Sequence, residues 1–146
     1  DDNNGLLPAP LLVGSPSREW YKQMYPALKI AGTAEGKELH ICPTANRSYT
    51  AKPRRTYAWN GGGNSSSYYQ LLSKIPTPES KICLSEAQET PGVPGWGWPC
   101  FWPSASYVPT DKIDFRHDRQ ANFLFFGGNA KKLWINDTDK TNWLYP

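Results

Sequence analysis

The stretch that decides the fold is residues 116–133, which have the sequence RHDRQANFLFFGGNAKKL. Its first half is rich in aromatic residues, as is typical of a strand, and Gly127-Gly128 accepts the positive φ angles of a two-residue type I′ turn. The pattern predicts a β-hairpin with strands over residues 121–126 and 130–135. Because a two-residue loop fixes the register of its strands, the stretch predicts geometry as well as strand content.

The rest of the chain predicts a single small α+β domain over residues 1–146. Trp20, Met24 and Leu28 recur every four residues, which favours a short N-terminal helix with one apolar face. Beyond this helix the chain alternates between short apolar runs and turn residues, and this order predicts a small antiparallel sheet. The strands predicted outside the hairpin are residues 39–42, 56–59, 81–86 and 113–116.

The hairpin stretch also resembles a family signature. In bacterial prepilin-like proteins related to type II secretion pseudopilins, Arg-His is followed after nine residues by Asp-Gly. Here nine residues separate His117 from Gly127-Gly128, so the spacing and the second glycine match, while Gly127 replaces the aspartate. Further segments resemble this family in the same order along the chain: residues 1–8, 20–28, 40–44, 56–60 and 71–80.

This resemblance implies a pilin-like head that lacks its long hydrophobic N-terminal helix. It implies a non-enzymatic structural or adhesion subunit of a cell-envelope filament or secretion-type assembly, located in the periplasm or outside the cell. Its partners would be other pilin-like subunits or further copies of the chain, with membrane contact only through the missing helix. The resemblance also implies a structural role for His117. Since Gly127 keeps the turn and discards the carboxylate, the motif is expected to specify the fold.

Composition argues against several other classes of function. The net charge is +3 and the basic residues are scattered, whereas nucleic-acid binders usually carry a basic stripe or a known module, so no nucleic-acid partner is expected. The chain has two histidines, no local Ser-His-Asp-like motif and no nucleotide-binding glycine loop, which predicts that it is not an enzyme. Glu86 and Glu89 are the nearest approach to paired carboxylates, but the sequence places them in no cleft.

The segment 92–103 is unusual because it combines three tryptophans with many glycines and prolines. Such a composition predicts a loop. Trp96, Trp98 and Trp102 could form a rigid aromatic platform for a sugar ring or a partner chain, so an extracellular carbohydrate-binding module is the alternative function. A loop packed on itself, with the indoles covering the sheet, is the favoured interpretation.

The three cysteines, Cys42, Cys83 and Cys100, fit no zinc motif because none of them lie two to four residues apart. The envelope location implied by the resemblance permits a disulfide, and some relatives carry a cysteine near the end of the missing helix that could partner Cys42. A Cys83–Cys100 disulfide with a free Cys42 is therefore predicted, with a buried free thiol at Cys83 as the alternative.

No metal or cofactor is expected from the spacing of the remaining ligand-type residues. Asp137 and Asp139 fall in a fragment of a calcium-loop pattern, but the central glycine and distal glutamate are missing, so an Asx-rich turn is favoured over calcium. The acidic cluster of Asp111, Asp114 and Asp118 around His117 predicts a salt-bridged strand end in preference to a metal site.

The resemblance carries one further physical expectation. A head built around an upstream helix should keep an apolar strip where that helix docked. Residues 123–126 have apolar side chains on both faces of their strand and are the predicted floor of this strip.

Overall fold

The structure is a computed structural model that describes residues 41–60, 75–101, 106–138 and 140–143. Within these ranges the only helical elements are short 3₁₀ turns, at Pro43–Arg47, Thr110–Lys112, Ile135–Asp137 and Lys140–Asn142. The predicted N-terminal helix lies outside the described residues. No helix among the described residues is long and apolar enough to cross a membrane. The strands are β1 (Tyr57–Asn60), β2 (Ile82–Glu86), β3 (Cys100–Phe101), β4 (Gln120–Phe125) and β5 (Ala130–Trp134).

These strands form one mixed sheet in the order β3-β1-β2-β4-β5. Neighbouring strands are antiparallel except for β1 and β3, which run parallel. The prediction of a purely antiparallel sheet is therefore wrong. Its error comes from the Gly- and Pro-rich segment, which was predicted to be a loop throughout but places Cys100 beside Trp59 and Phe101 beside Asn60 at the sheet edge.

Strand alternation separates the apolar side chains into two clusters on opposite faces of the sheet. On one face the main core contains the buried side chains of Ala58, Ile82, Phe101, Ala121, Phe123 and Phe125, together with Ala87, Ile113 and Trp143 from outside the strands. On the other face a smaller second cluster contains Trp59, Ile75, Cys83 and Phe126. The sheet is thus packed by this chain's own residues on both faces.

The predicted apolar strip at residues 123–126 is not present. Phe123 and Phe125 lie in the main core, Phe126 lies in the second cluster, and Leu124 is half-buried against that cluster. Among the described residues, the large apolar side chains that are exposed belong to Val93, Trp134 and Ile135. The strip is missing because both faces of β4 have packing partners within the chain.

The β4–β5 hairpin is confirmed, but its turn differs from the predicted one. Leu124 is paired with Ala130, the Phe125 amide donates to Asn129 O at 2.9 Å, and the Gly128 amide donates to Phe125 O at 2.9 Å. Of the two glycines only Gly128 has a positive φ, +86°. The connection is therefore a three-residue loop in which Gly128 supplies the left-handed residue, a common alternative to the two-residue type I′ turn.

Gly127 is needed for a different reason, the close approach of another turn. A Cβ atom at this position would lie 2.8 Å from Glu79 Cα and 2.9 Å from Glu79 N. The Gly127 amide also donates to Pro78 O at 2.8 Å, which holds the two turns together. An aspartate at this position, as in the signature that the chain resembles, is therefore incompatible with this packing.

We predict that Gly127→Asp lowers the free energy of unfolding by about 1–3 kcal/mol, because the new side chain must displace the Glu79 backbone. Urea denaturation followed by tryptophan fluorescence measures the loss. Gly128→Asn is the matched control, since a Cβ there meets no atom within 4 Å and asparagine tolerates the left-handed conformation. Equal stability of Gly127→Asp and the wild type would contradict the contact between the two turns.

A type I′ turn does occur in the chain, at Asp118-Arg119. His117 and Gln120 exchange two backbone hydrogen bonds of 3.0 Å, and the two residues between them have φ values of +55° and +63°. Both central residues of a type I′ turn require positive φ. Neither is a glycine, so the turn that fixes His117 at the start of β4 carries backbone strain.

We predict that Arg119→Gly raises the free energy of unfolding by about 0.5–1 kcal/mol. A side chain in the left-handed region costs about 1–2 kcal/mol, and the greater freedom of glycine in the unfolded chain offsets part of the gain. Lys132→Gly in the middle of β5 is the control and is expected to lower stability by about 0.5–1 kcal/mol. A loss of stability in Arg119→Gly would show that this turn is not type I′.

The three cysteines are all free and buried, so the predicted Cys83–Cys100 disulfide is wrong. Cys83 lies on β2 and Cys100 on β3, and β1 runs between these two strands. Two strand spacings amount to roughly 9.6 Å, beyond the Cα separation of about 7 Å that a disulfide can span. Burial raises the pKa of the Cys83 thiol to about 12, which keeps it protonated and inert, as in the alternative interpretation.

Candidate functional site

Three side chains of different chemistry meet at one point beside the sheet: Cys42, Glu86 and His117. The His117 Nε2 atom lies 2.8 Å from Glu86 Oε1 and 3.6 Å from Cys42 Sγ. The ligand atoms of all three residues lie within 4.8 Å of one another. We call this group the Cys-Glu-His cluster. No other group of this kind occurs among residues 41–60, 75–101, 106–138 and 140–143.

Each member of the cluster is placed by a different part of the backbone. Cys42 precedes the 3₁₀ turn Pro43–Arg47, and its amide is 2.5 Å from Thr56 Oγ1, next to β1. Glu86 is the last residue of β2 and is fully buried. His117 is held by the type I′ turn that leads into β4. The cluster therefore joins three segments that are distant in sequence.

The carboxylate of Glu86 uses its two oxygens for different partners. Oε2 accepts hydrogen bonds from the backbone amide of Asn122 at 2.9 Å and from its Nδ2 at 3.2 Å. Oε1 faces His117 Nε2. A fully buried carboxylate is stable only when its lone pairs are satisfied in this way. The two contacts from Asn122 engage Oε2, and Oε1 is directed at His117.

A buried arginine lies next to the cluster. Arg116 Nε is 4.0 Å from Glu86 Oε1, while its Nη2 pairs with Asp114 Oδ2 at 2.9 Å and donates to Ala87 O at 2.7 Å. The guanidinium also lies over the Tyr49 ring, 5.3 Å from its centre. The charge of Arg116 is thus met mainly by Asp114, and its attraction to Glu86 is secondary.

Two tyrosines complete the surroundings and both remain protonated. Burial raises the pKa of Tyr49 to about 12, and its hydroxyl donates to Ala87 O at 2.6 Å. Burial also raises the pKa of Tyr57 strongly, with smaller contributions from Cys42 and Glu86. Neither phenol adds a negative charge near the cluster at ordinary pH.

The geometry of the cluster does not match a nucleophile activated by a base. In such an arrangement one histidine nitrogen contacts the nucleophile and the other contacts an orienting acid. Here Cys42 and Glu86 both approach Nε2. The arrangement instead brings a thiol, an imidazole and a carboxylate together around one point, which suits hydrogen bonding or shared coordination of a metal ion.

Sequence reasoning identified His117 but missed its partners. The sequence predicts that Cys42 is a free cysteine and that Glu86 is one of a pair of carboxylates with Glu89. In the structure Glu86 is buried, whereas Glu89 is half-buried and accepts hydrogen bonds from the Gly95 amide and from the amide and hydroxyl of Thr50. These hydrogen bonds hold the pKa of Glu89 below its usual range. The two glutamates share no cleft.

Of the acidic residues near His117, Asp114 forms the ion pair expected of a salt-bridged strand end. Asp114 pairs with Arg116 and accepts from Ser48 at 2.7 Å, and Asp111 accepts from the Tyr107 hydroxyl. Asp118 is exposed in its turn. Asp114 and Asp111 therefore have separate partners, and none of the three residues belongs to the Cys-Glu-His cluster.

Of the two weak calcium candidates, Asp137 and Asp139, the structure describes Asp137. Asp137 Oδ2 accepts a hydrogen bond from the Trp134 amide at 3.1 Å, three residues earlier. This contact caps the 3₁₀ turn Ile135–Asp137 and differs from an Asx turn, in which the side chain bonds the backbone two residues ahead. Asp139 lies outside the described residues.

The tryptophans of the Gly- and Pro-rich segment are engaged by cationic side chains of the same chain. The Trp96 ring lies under Arg55 at 5.2 Å, and the Trp98 ring lies 4.5 Å from Lys112 Nζ. Both side chains are half-buried, and Trp98 packs against the main core. This arrangement favours the self-packed loop over an open aromatic platform. Trp102 lies outside the described residues.

Comparisons of the chain with protein-family models, with curated proteins and with solved structures found no match.

Proposed function

We propose that the chain is the head of a pilin-like, non-enzymatic structural or adhesion subunit that acts outside the cytoplasm. The observation that carries the proposal is that residues of the signature contact other segments of the same chain. His117 contacts Cys42 of the Cys-Pro segment at 3.6 Å and Glu86 at the end of β2 at 2.8 Å. Residues that underlie the family resemblance thus connect different segments of one fold, as expected of a motif that specifies structure.

The chemistry of the described residues supports the same proposal. The only mixed group of thiol, carboxylate and imidazole in the part of the chain that the structure describes has both partners on one histidine nitrogen. That arrangement supplies no activated nucleophile. The exposed outer strand β5 carries Lys131 and Lys132, which discourage uncontrolled pairing of sheet edges. Assembly of subunits into a filament would then use surfaces other than the edge of β5.

The proposal predicts that the head is exposed outside the cytoplasm, and an accessibility experiment tests it. Lys132→Cys places one exposed thiol on β5, whereas the three native cysteines are buried. Intact cells of the source organism are treated with a membrane-impermeant maleimide, followed by shearing to release filaments. We expect the variant to be labelled without lysis and to appear in the sheared fraction, either free or bound to other subunits.

The wild-type chain is the matched control, because its buried cysteines should remain unlabelled under the same conditions. Labelling of Lys132→Cys only after the cytoplasmic membrane is broken would contradict the proposal. In outer-membrane bacteria, labelling after selective permeabilisation of the outer membrane would place the head in the periplasm, in agreement with the proposal.

A further inference from the structure

We propose that the Cys-Glu-His cluster binds one zinc ion, which fastens the segment before β1 to the end of β2 and the start of β4. The ligands are Cys42 Sγ, Glu86 Oε1 and His117 Nε2, with water as the fourth ligand. The site is a structural tie, and its existence does not depend on where the protein acts.

One pair of donor atoms, Cys42 Sγ and His117 Nε2, already has the separation that tetrahedral zinc requires, and all three donor atoms lie within 4.8 Å of one another. Bond lengths of about 2.3 Å to sulfur and about 2.05 Å to nitrogen place these atoms about 3.6 Å apart in a tetrahedral site. The observed separation of Cys42 Sγ and His117 Nε2 is 3.6 Å. His117 Nε2 and Glu86 Oε1 are 2.8 Å apart in a hydrogen bond. Zinc requires about 3.4 Å between them, so the carboxylate has to retreat by about 0.6 Å.

The charges of the cluster also suit a divalent cation. Zinc replaces the thiol proton of Cys42, which goes to solvent. It takes the lone pair of His117 Nε2, so the zinc-bound neutral imidazole carries its hydrogen on Nδ1. One thiolate and one carboxylate then balance the two positive charges of the ion. The nearby Arg116 adds little repulsion, because Asp114 pairs with it at 2.9 Å.

Residues around the cluster hold the ligands in place for this role. Asn122 engages Glu86 Oε2 with two hydrogen bonds and leaves Oε1 for the ion. Thr44 Oγ1 lies 3.1 Å from Cys42 Sγ, where its hydroxyl can donate to a thiolate. Such supporting contacts are characteristic of metal sites. The His117 side chain is 20% exposed while that of Glu86 is fully buried, so the ion can enter from the histidine side.

The test is metal binding by the purified chain after treatment with EDTA. Zinc is titrated in competition with a chromophoric chelator, and we expect one equivalent to bind. Cobalt(II) in place of zinc should give a thiolate-to-cobalt charge-transfer band and the visible bands of a tetrahedral site. Cys42→Ser should remove the charge-transfer band and weaken zinc binding by at least about 100-fold, more than the loss of a supporting contact.

Two further variants define the site. Cys83→Ala is the matched control and should keep full zinc affinity, because its thiol lies in the second cluster. Asn122→Ala should weaken zinc binding by about 10- to 100-fold through loss of its hold on Glu86. If Cys42→Ser does not fold, X-ray absorption of the zinc-loaded wild type provides the answer, with one sulfur at about 2.3 Å. Substoichiometric zinc binding by the wild type, or a zinc shell without sulfur, would overturn the proposal.

Discussion

Glu86→Ala is expected to lower the free energy of unfolding by about 3–5 kcal/mol, measured in EDTA so that no metal contributes. Glu86 is fully buried and accepts hydrogen bonds from the amide and side chain of Asn122, while its other oxygen meets His117. Removing the carboxylate leaves these donors buried without a partner, with the charge of Arg116 nearby, and opens a cavity. Urea denaturation measures the change.

Two variants calibrate this result. Glu86→Gln keeps the shape and one acceptor oxygen, so a smaller loss of about 1.5–3 kcal/mol is expected for the weakened charged hydrogen bonds. Glu79→Ala removes a glutamate side chain that is exposed, and its effect should stay within about 0.5 kcal/mol. If Glu86→Ala cost less than about 1 kcal/mol, the carboxylate would not be the buried acceptor that the structure shows.

Phe123→Ala is expected to lower the free energy of unfolding by about 3–5 kcal/mol, because it empties the centre of the main core. Phe123 is 1% exposed and its ring lies 6.5 Å from that of Phe115. Chemical denaturation measures this loss as well.

The neighbouring residue provides the control, since Leu124 points to the opposite face of β4 and is half-buried. Leu124→Ala should cost less, about 1–1.5 kcal/mol. The reverse order of effects would mean that β4 is shifted by one residue, because such a shift exchanges the two faces of a strand.

The sequence predicted best those strands that are determined by the pattern of neighbouring residues. The strands of the hairpin and β2 follow from short apolar runs between turn residues, and the structure places them within one residue of the predicted limits. Residues 113–116 were predicted as a strand on the same grounds, yet only Ile113 forms an isolated bridge, to Ala87. Strand β3 is not predicted because its two residues lie within the Gly- and Pro-rich segment 92–103 and are defined only by pairing with β1.

The β4–β5 hairpin was predicted correctly, but the type of its turn was not. The glycines at 127 and 128 predicted a type I′ turn, but the turn of that type contains Asp118 and Arg119, which give no glycine signal. Gly127 is required by the backbone of Glu79, a residue 48 positions earlier in the chain. Neither fact can be obtained from local preference, because each depends on the tertiary packing of one turn against another.

The Cys-Glu-His cluster could not be predicted from the sequence for the same reason. Rules for metal and catalytic motifs detect ligands a few residues apart, whereas Cys42 and His117 are separated by 75 positions and Glu86 by 31 from His117. The family resemblance marked His117 and the segment of Cys42 separately. Only the sheet order, which brings the end of β2 beside β4, joins them.

A double-mutant cycle between Glu86 and His117 in EDTA tests most directly whether these two residues stabilise the fold through each other. The free energy of unfolding is measured for the wild type, Glu86→Gln, His117→Asn and the double variant. A coupling energy of about 1–3 kcal/mol is predicted, as for residues that share a buried hydrogen bond. Additive effects within about 0.5 kcal/mol would contradict the account, because they would mean that the signature histidine and Glu86 do not stabilise the fold through each other.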